Sequence, residues 1–270
     1  MSLHHAESMT APGHAGDSDH EGARVHPSTG CSWRELLLVL VLAALLWGGY
    51  LARTDFHVFP RDDVMQAVVA ARQFAAGEGH TSRVATPTML VFLAEQGRLE
   101  RPWPNALRSP LPVVLMGSLM GFVSEPTAVA LSSGIFFVLA VPLIYLIGCR
   151  LAGRWAGGLA AIAFVLAPSG LYLGSTGMTE SSTIFALAAI ILLLMRPFTW
   201  RGALLAGVAL GIGYLGRSTM QMWALVMVLY VIWASLDDGW GRAIARAAVF
   251  VAPLALAVWW WGGQMEALTG

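Results

Sequence analysis

The sequence predicts an all-α membrane protein: a polytopic bundle of about seven transmembrane helices, with a long outer loop carrying interfacial helices. Three observations carry that prediction. Hydrophobic residues make up 57% of the 270 and charged residues only 12%, whereas a soluble domain carries about a quarter charged. Several apolar runs approach the roughly 20 residues that cross a bilayer as helix. The charges lie at the ends of those runs rather than within them. Net charge is zero, so nothing points to a nucleic-acid partner. All 16 basic residues are arginine, for which the sequence offers no physical reason. Cys31 and Cys149 fall on opposite kinds of segment, which argues against a disulfide.

Residues 1–33 read as a disordered cytoplasmic tail, polar and rich in Gly, Ser and Pro. The tail lacks the layout of a signal peptide. His4, His5, His14, His20 and His26 are irregularly spaced, which favours a mobile tail over a metal site. Residues 34–270 form the transmembrane module. Its first span is Glu35–Ala52, bordered by Arg34 and Arg53. An extracytoplasmic loop over residues 53–126 follows. It contains Asp62-Asp63, a helix over Val64–Ala76 and the helix stop Gly77-Glu78-Gly79-His80. The apolar residues of Val64–Ala76 are too dense for a water-exposed helix and suit one lying on the membrane surface. Pro102, Pro104, Pro110 and Pro112 break any continuous helix beyond it.

Leu111–Val123 is apolar but only thirteen residues long, short for a crossing. Arginine placement decides its disposition. If it does not cross, Arg150, Arg154, Arg196, Arg201, Arg242 and Arg246 are cytoplasmic and only Arg217 is outside. If it crosses, that distribution inverts, against the positive-inside rule. The seven arginines from Arg53 to Arg108 do not bear on the choice, because loops beyond about 60 residues escape the rule. Leu111–Val123 is therefore expected to be re-entrant or interfacial. The remaining spans are Thr127–Gly148, Trp155–Leu173, Ser181–Met195, Gly202–Gly216, Thr219–Leu236 and Ala243–Gly262. Gly202, Ala206, Gly207, Gly211 and Gly213 would allow close helix packing. Trp259-Trp260-Trp261 suits an interfacial anchor.

On this topology three polar features converge on the outer face: Asp62-Asp63, Thr179-Glu180 and Arg217-Ser218-Thr219. A carboxylate can deprotonate an incoming hydroxyl. An arginine can hold a phosphate leaving group and neutralise the charge that builds on it. Together they would equip the face to transfer a group from a lipid phosphate to an acceptor outside the membrane. Each feature also has a plain structural reading. Asp62 or Asp63 could cap the following helix, with capping falling to Asp63 and catalysis to Asp62. Glu180, behind Thr179 as a natural cap, suits a helix dipole. Arg217 could snorkel to headgroups. Asp237-Asp238 reads as a solvated turn. No HExxH, CxxC pair or P-loop is present, so neither a metal nor a cofactor is implied.

The order of these features resembles a known pattern. It runs through Asp62-Asp63, Ala71-Arg72, Gly77-Glu78-Gly79, Ser109-Pro110-Leu111-Pro112, Arg150-Leu151-Ala152-Gly153-Arg154, Pro168, Thr179-Glu180 and Leu215-Gly216-Arg217. The chain is similar, over about Glu35 to Leu236, to the N-terminal module of the GT-C superfamily of integral membrane glycosyltransferases. The closest flavour is the bacterial branch of protein O-mannosyltransferase-like and aminoarabinose transferase-like enzymes. That resemblance implies a multi-pass enzyme of the bacterial plasma (inner) membrane and cell envelope, with its site on the extracytoplasmic face. It implies a polyprenyl-phosphate sugar as donor, a lipid, glycan or protein as acceptor, and inversion by direct displacement. The general base would be Asp62 or Asp63. Glu180 matches an acidic position before the fourth span and Arg217 a basic one at the end of the fifth; Arg108 joins them as a substrate-binding candidate. The chain departs from the pattern at Met65-Gln66, where an aromatic is usual. Members usually run well beyond 270 residues, which leaves a fragment and a minimal member both open. The competing expectation is a non-enzymatic carrier, flippase or scaffold for lipid-linked saccharides. A carrier would place ionisable groups at mid-membrane on repeat-related broken helices, whereas here they sit at span ends without an internal repeat.

Overall fold

A computed structural model describes residues 32–54, 62–85, 87–95, 97, 99, 102–105, 108–195 and 199–269. The tail expected over residues 1–33 lies almost wholly outside the described residues. The described chain is nearly all helix. In order it forms α1 (Trp33–Arg53), α2 (Asp62–Ala75), β1 (Thr81–Ser82), α3 (Pro87–Glu95), β2 (Trp103–Pro104), α4 (Pro110–Met120) and α5 (Glu125–Ala152). After these come α6 (Arg154–Leu166), α7 (Pro168–Leu173), α8 (Glu180–Leu194), α9 (Trp200–Gly216), α10 (Met220–Trp233), a single 3₁₀ turn at Leu236–Asp238, and α11 (Trp240–Thr269).

Local chemistry sets the ends. Ser32 opens α1 with a reciprocal cap: its hydroxyl accepts from the Glu35 N–H, and the Glu35 carboxylate accepts from the Ser32 N–H. Thr199 caps α9 by accepting from the Gly202 N–H at 3.0 Å. The single span expected over Trp155–Leu173 is in fact broken into α6 and α7. Pro168 has no N–H to continue the ladder, and Ala167 before it is extended, with φ −61° and ψ 119°.

Among the described residues three helices, α1, α5 and α11, are long and apolar enough to cross a membrane. The helices α4, α6, α8, α9 and α10 are apolar but shorter. α1 buries little besides Ala43 and leaves Leu37, Leu38, Val41, Leu42, Leu45 and Leu46 exposed. Each such side chain forgoes about 1.5–3 kcal/mol if it faces water, a cost that lipid removes. The fold class the structure supports is therefore a helical membrane protein.

Small residues set the packing distances. A side chain at Gly207 would run into the Phe250 carbonyl oxygen, and one at Gly211 would meet the Pro253 oxygen at 3.1 Å, so α9 and α11 touch backbone to backbone. Gly148 and Gly157 make the same close approach between α5 and α6. Around these contacts Ile190, Leu210, Met220, Val231 and Phe250 form the main core.

A second core corrects the sequence reading of α2. Its buried apolar residues lie against protein. Val64, Ala67, Val68, Ala70 and Ala71 are buried against Val113 and Met116 of α4, Val129 of α5, and Met178. The Arg72 guanidinium then ties α2 to the start of α5 with two 2.6 Å hydrogen bonds to Glu125. A small antiparallel pair, unexpected from the sequence, sets Thr81 opposite Pro104 and Ser82 opposite Trp103. That pair closes the segment carrying α3 and returns the chain to α2 just before α4.

Candidate functional site

Of the charges the sequence singled out, the fold brings Asp63, Arg108, Glu180 and Arg217, from four separate regions, to one cavity of about 200 Å³. Its wall includes Asp63 and Ala67 from α2, Arg108-Ser109 before α4, Gly177 to Glu180 at the α7–α8 turn, and Arg217 to Thr219 between α9 and α10.

Local structure explains each placement. α2 begins at Asp62, so Asp63 sits inside the first turn rather than directly before the helix as a cap. Its carboxylate lines the cavity and takes the Arg108 guanidinium, Nη2 to Oδ1 at 2.7 Å. This corrects the expectation that Asp63 caps the helix; the expectation that Asp62 faces the site falls on a side chain outside the described residues. Gln66, three residues on and hence on the same helix face, accepts two further hydrogen bonds from Arg108, at 2.7 Å from Nη2 and 3.3 Å from Nε.

The turn ahead of α8 is held by Gly177, whose φ of +72° is one that residues with a side chain rarely adopt. Its N–H donates to the Ser133 hydroxyl of α5 at 3.0 Å, and a side chain there would meet Val129 at 2.5 Å. This aims Thr179-Glu180 at the cavity. Thr179 makes no side-chain cap, contrary to expectation. Instead its carbonyl accepts from the Ser182 and Thr183 hydroxyls. The Glu180 carboxylate turns outward to Arg217, with Nη1 2.7 Å from Oε1. The other Glu180 oxygen is buried without a hydrogen-bond partner. Gly216 makes the approach possible, since a side chain there would press on the Ser182 hydroxyl at 2.8 Å.

The cavity thus holds two ion pairs of opposite provenance, Asp63–Arg108 and Glu180–Arg217, with no net charge between them. A guanidinium carries five N–H donors; Arg108 gives three to Asp63 and Gln66, which leaves its Nη1 pair for an incoming anion. An anion arriving between them meets two cations whose carboxylate partners already hold them in place. Asp63 is the most solvent-open member, its side chain 70% exposed. Sequence reasoning missed Gln66, Asn105 and His80 as parts of this neighbourhood. Helical spacing from Asp63 pointed to Gln66; nothing local pointed to the other two. Among the described residues no group of His, Cys, Asp and Glu is arranged to hold a metal ion.

Comparison of the chain with family models, with curated proteins and with solved structures finds no match.

Proposed function

We propose that this chain is a GT-C-like module that moves a sugar from a polyprenyl-phosphate donor to an acceptor on the extracytoplasmic face of the membrane. One observation carries the reading: a solvent-open carboxylate, Asp63, and two guanidiniums, Arg108 and Arg217, line one cavity although they come from three distant segments.

The chemistry follows from that set. Asp63 takes the proton of an acceptor hydroxyl as its oxygen attacks the anomeric carbon. The bond from that carbon to the donor's phosphate oxygen breaks on the opposite face, which inverts the centre. The electron pair stays on the departing polyprenyl phosphate, whose charge Arg217 and Arg108 neutralise.

The proposed disposition is seven spans: α1, α5, α6 with α7, α8, α9, α10 and α11. Exposed tryptophans support it. Trp33, Trp155, Trp200, Trp233 and Trp240 all sit where this threading reaches the cytoplasmic interface, and Trp223, Trp259 and Trp260 where it reaches the outer one. Arg150, Arg154, Arg201, Arg242 and Arg246 share the first end. α4 spans eleven residues, a rise of about 16 Å against a hydrocarbon core of about 30 Å, which suits a piece that does not cross.

The test is sugar release from a polyprenyl-phosphate donor by the purified protein, with water or added alcohols as acceptor. Asp63→Asn is expected to lower the rate about 10²–10⁴-fold. Full activity in Asp62→Asn, Asp63→Asn and the double variant would end the assignment.

A further inference from the structure

We infer that His80 is a positioning residue for Arg108, a role that rests on the reading of the cavity as a donor-phosphate site. His80 lies outside the cavity wall, at the point where the chain leaves α2 for β1. The pairing of β1 with β2 brings it opposite the segment that leads to Arg108, and the Asn105 N–H donates to the His80 carbonyl at 3.2 Å. The His80 ring then turns towards the same segment. Its Nε2 lies 3.1 Å from the Arg108 carbonyl oxygen. A carbonyl oxygen can only accept, so Nε2 carries the proton.

The ring has little freedom to do anything else. Trp261 of α11 packs edge-on against it, with centroids 5.0 Å apart and planes at 86°. Nδ1 is buried and has no hydrogen-bond partner. An apolar ring would fill this space without leaving a polar atom unpaired. What the imidazole adds is the N–H towards Arg108, with a lesser contact to the Asn105 backbone.

Arg108 is consequently held at both ends. Its backbone is fixed by His80, and its guanidinium is fixed by Asp63 and Gln66. A long, rotamer-rich side chain holds a bidentate geometry only if the backbone it starts from is fixed. His80 thereby sets where the guanidinium stands when a phosphate arrives. It touches neither donor nor acceptor and acts through Arg108.

Transfer kinetics with a polyprenyl-phosphate sugar test this. His80→Phe keeps the aromatic packing on Trp261 and removes the N–H. It is expected to raise KM for the donor about tenfold, the effect of one lost hydrogen bond, with kcat little changed. His80→Gln restores an N–H and is expected to recover most of the loss. In an Arg108→Ala background His80→Phe should add nothing, because the group it positions is gone. Unchanged kinetics in His80→Phe, no rescue by Gln, or a full additional loss in the Arg108→Ala background would each overturn the inference. If the wild-type protein transfers no sugar, the donor-site reading fails instead. Positioning is then read from a stability cycle between His80→Phe and Asp63→Asn: non-additive losses support the clamp on Arg108, and additive losses overturn it.

Discussion

At the scale of single residues, much turns on which groups are partnered. Arg217 does not simply reach for headgroups, because Glu180 holds its Nη1 at 2.7 Å. Glu180 is more than a dipole-complementing first-turn residue, since one of its oxygens is spent on Arg217 and the other is buried without a partner. His80 gives a measurable consequence. Burial lowers its pKa from the ordinary histidine value, outweighing the backbone contacts that favour the charged ring. The unfolded chain therefore takes up the proton first, near pH 6.5. Stability tied to the neutral ring is present above that pH and is lost as pH falls through the folded value. Thermal unfolding followed from pH 7.5 down to 5 should show a steeper loss for the wild-type protein than for His80→Gln. Parallel profiles would mean that the ring titrates as it does in water.

At the scale of elements, the small residues of α9 make the sharpest claim. A side chain at Gly207 has no room, because the obstacle is the Phe250 backbone of α11 and not a movable side-chain tip. Gly207→Ala is therefore expected to push α9 from α11 and cost about 1–3 kcal/mol, the usual range for overpacking. A side chain added at Gly158 of α6 would have nothing within 4 Å, so Gly158→Ala should be neutral or gain about 0.5–1 kcal/mol from helix propensity. Unfolding in detergent with graded denaturant separates the two, and equal effects would contradict the packing described. The spacing of Gly207, Gly211 and Gly213 was legible in the sequence because small residues at helical spacing leave a recognisable stripe. The break between α6 and α7 was less legible: Pro168 marks it, but apolar residues continue on both sides and mimic one span. The environment of α2 was misread for a related reason. Density of Val and Ala reports burial without saying whether protein or lipid supplies it, and here α4 does. The strands β1 and β2 are two residues each and pair across some twenty positions, so no local periodicity announces them.

At the scale of the whole molecule, the sequence located the charges but not their pairing. Asp63, Arg108, Glu180 and Arg217 were each visible as polar residues at the ends of apolar runs. Which carboxylate meets which arginine depends on α2 packing on α4 and on the turn at Gly177, and both are tertiary facts. The seven-span disposition has its own test. Leu99 and Phe122 flank α4 and are exposed, unlike Asn105, which is 5% exposed and a poor reporter. In a background without Cys31 and Cys149, single cysteines at 99 and 122 should both react with an impermeant thiol reagent added outside. Reaction at only one of them would mean that α4 crosses.

If the cavity takes the phosphate of a lipid-linked sugar, it should do so whatever the sugar acceptor is. The decisive experiment is equilibrium binding of a polyprenyl phosphate to the purified protein, compared across the wild type, Arg217→Ala and Arg108→Ala. Charge-assisted hydrogen bonds contribute roughly 1.5–3 kcal/mol each, so each substitution should weaken binding by about ten- to a hundredfold. Raising the salt concentration should weaken wild-type binding more than that of either variant. Equal affinity in all three folded proteins would refute a phosphate site and leave the two ion pairs as structural ties between helices.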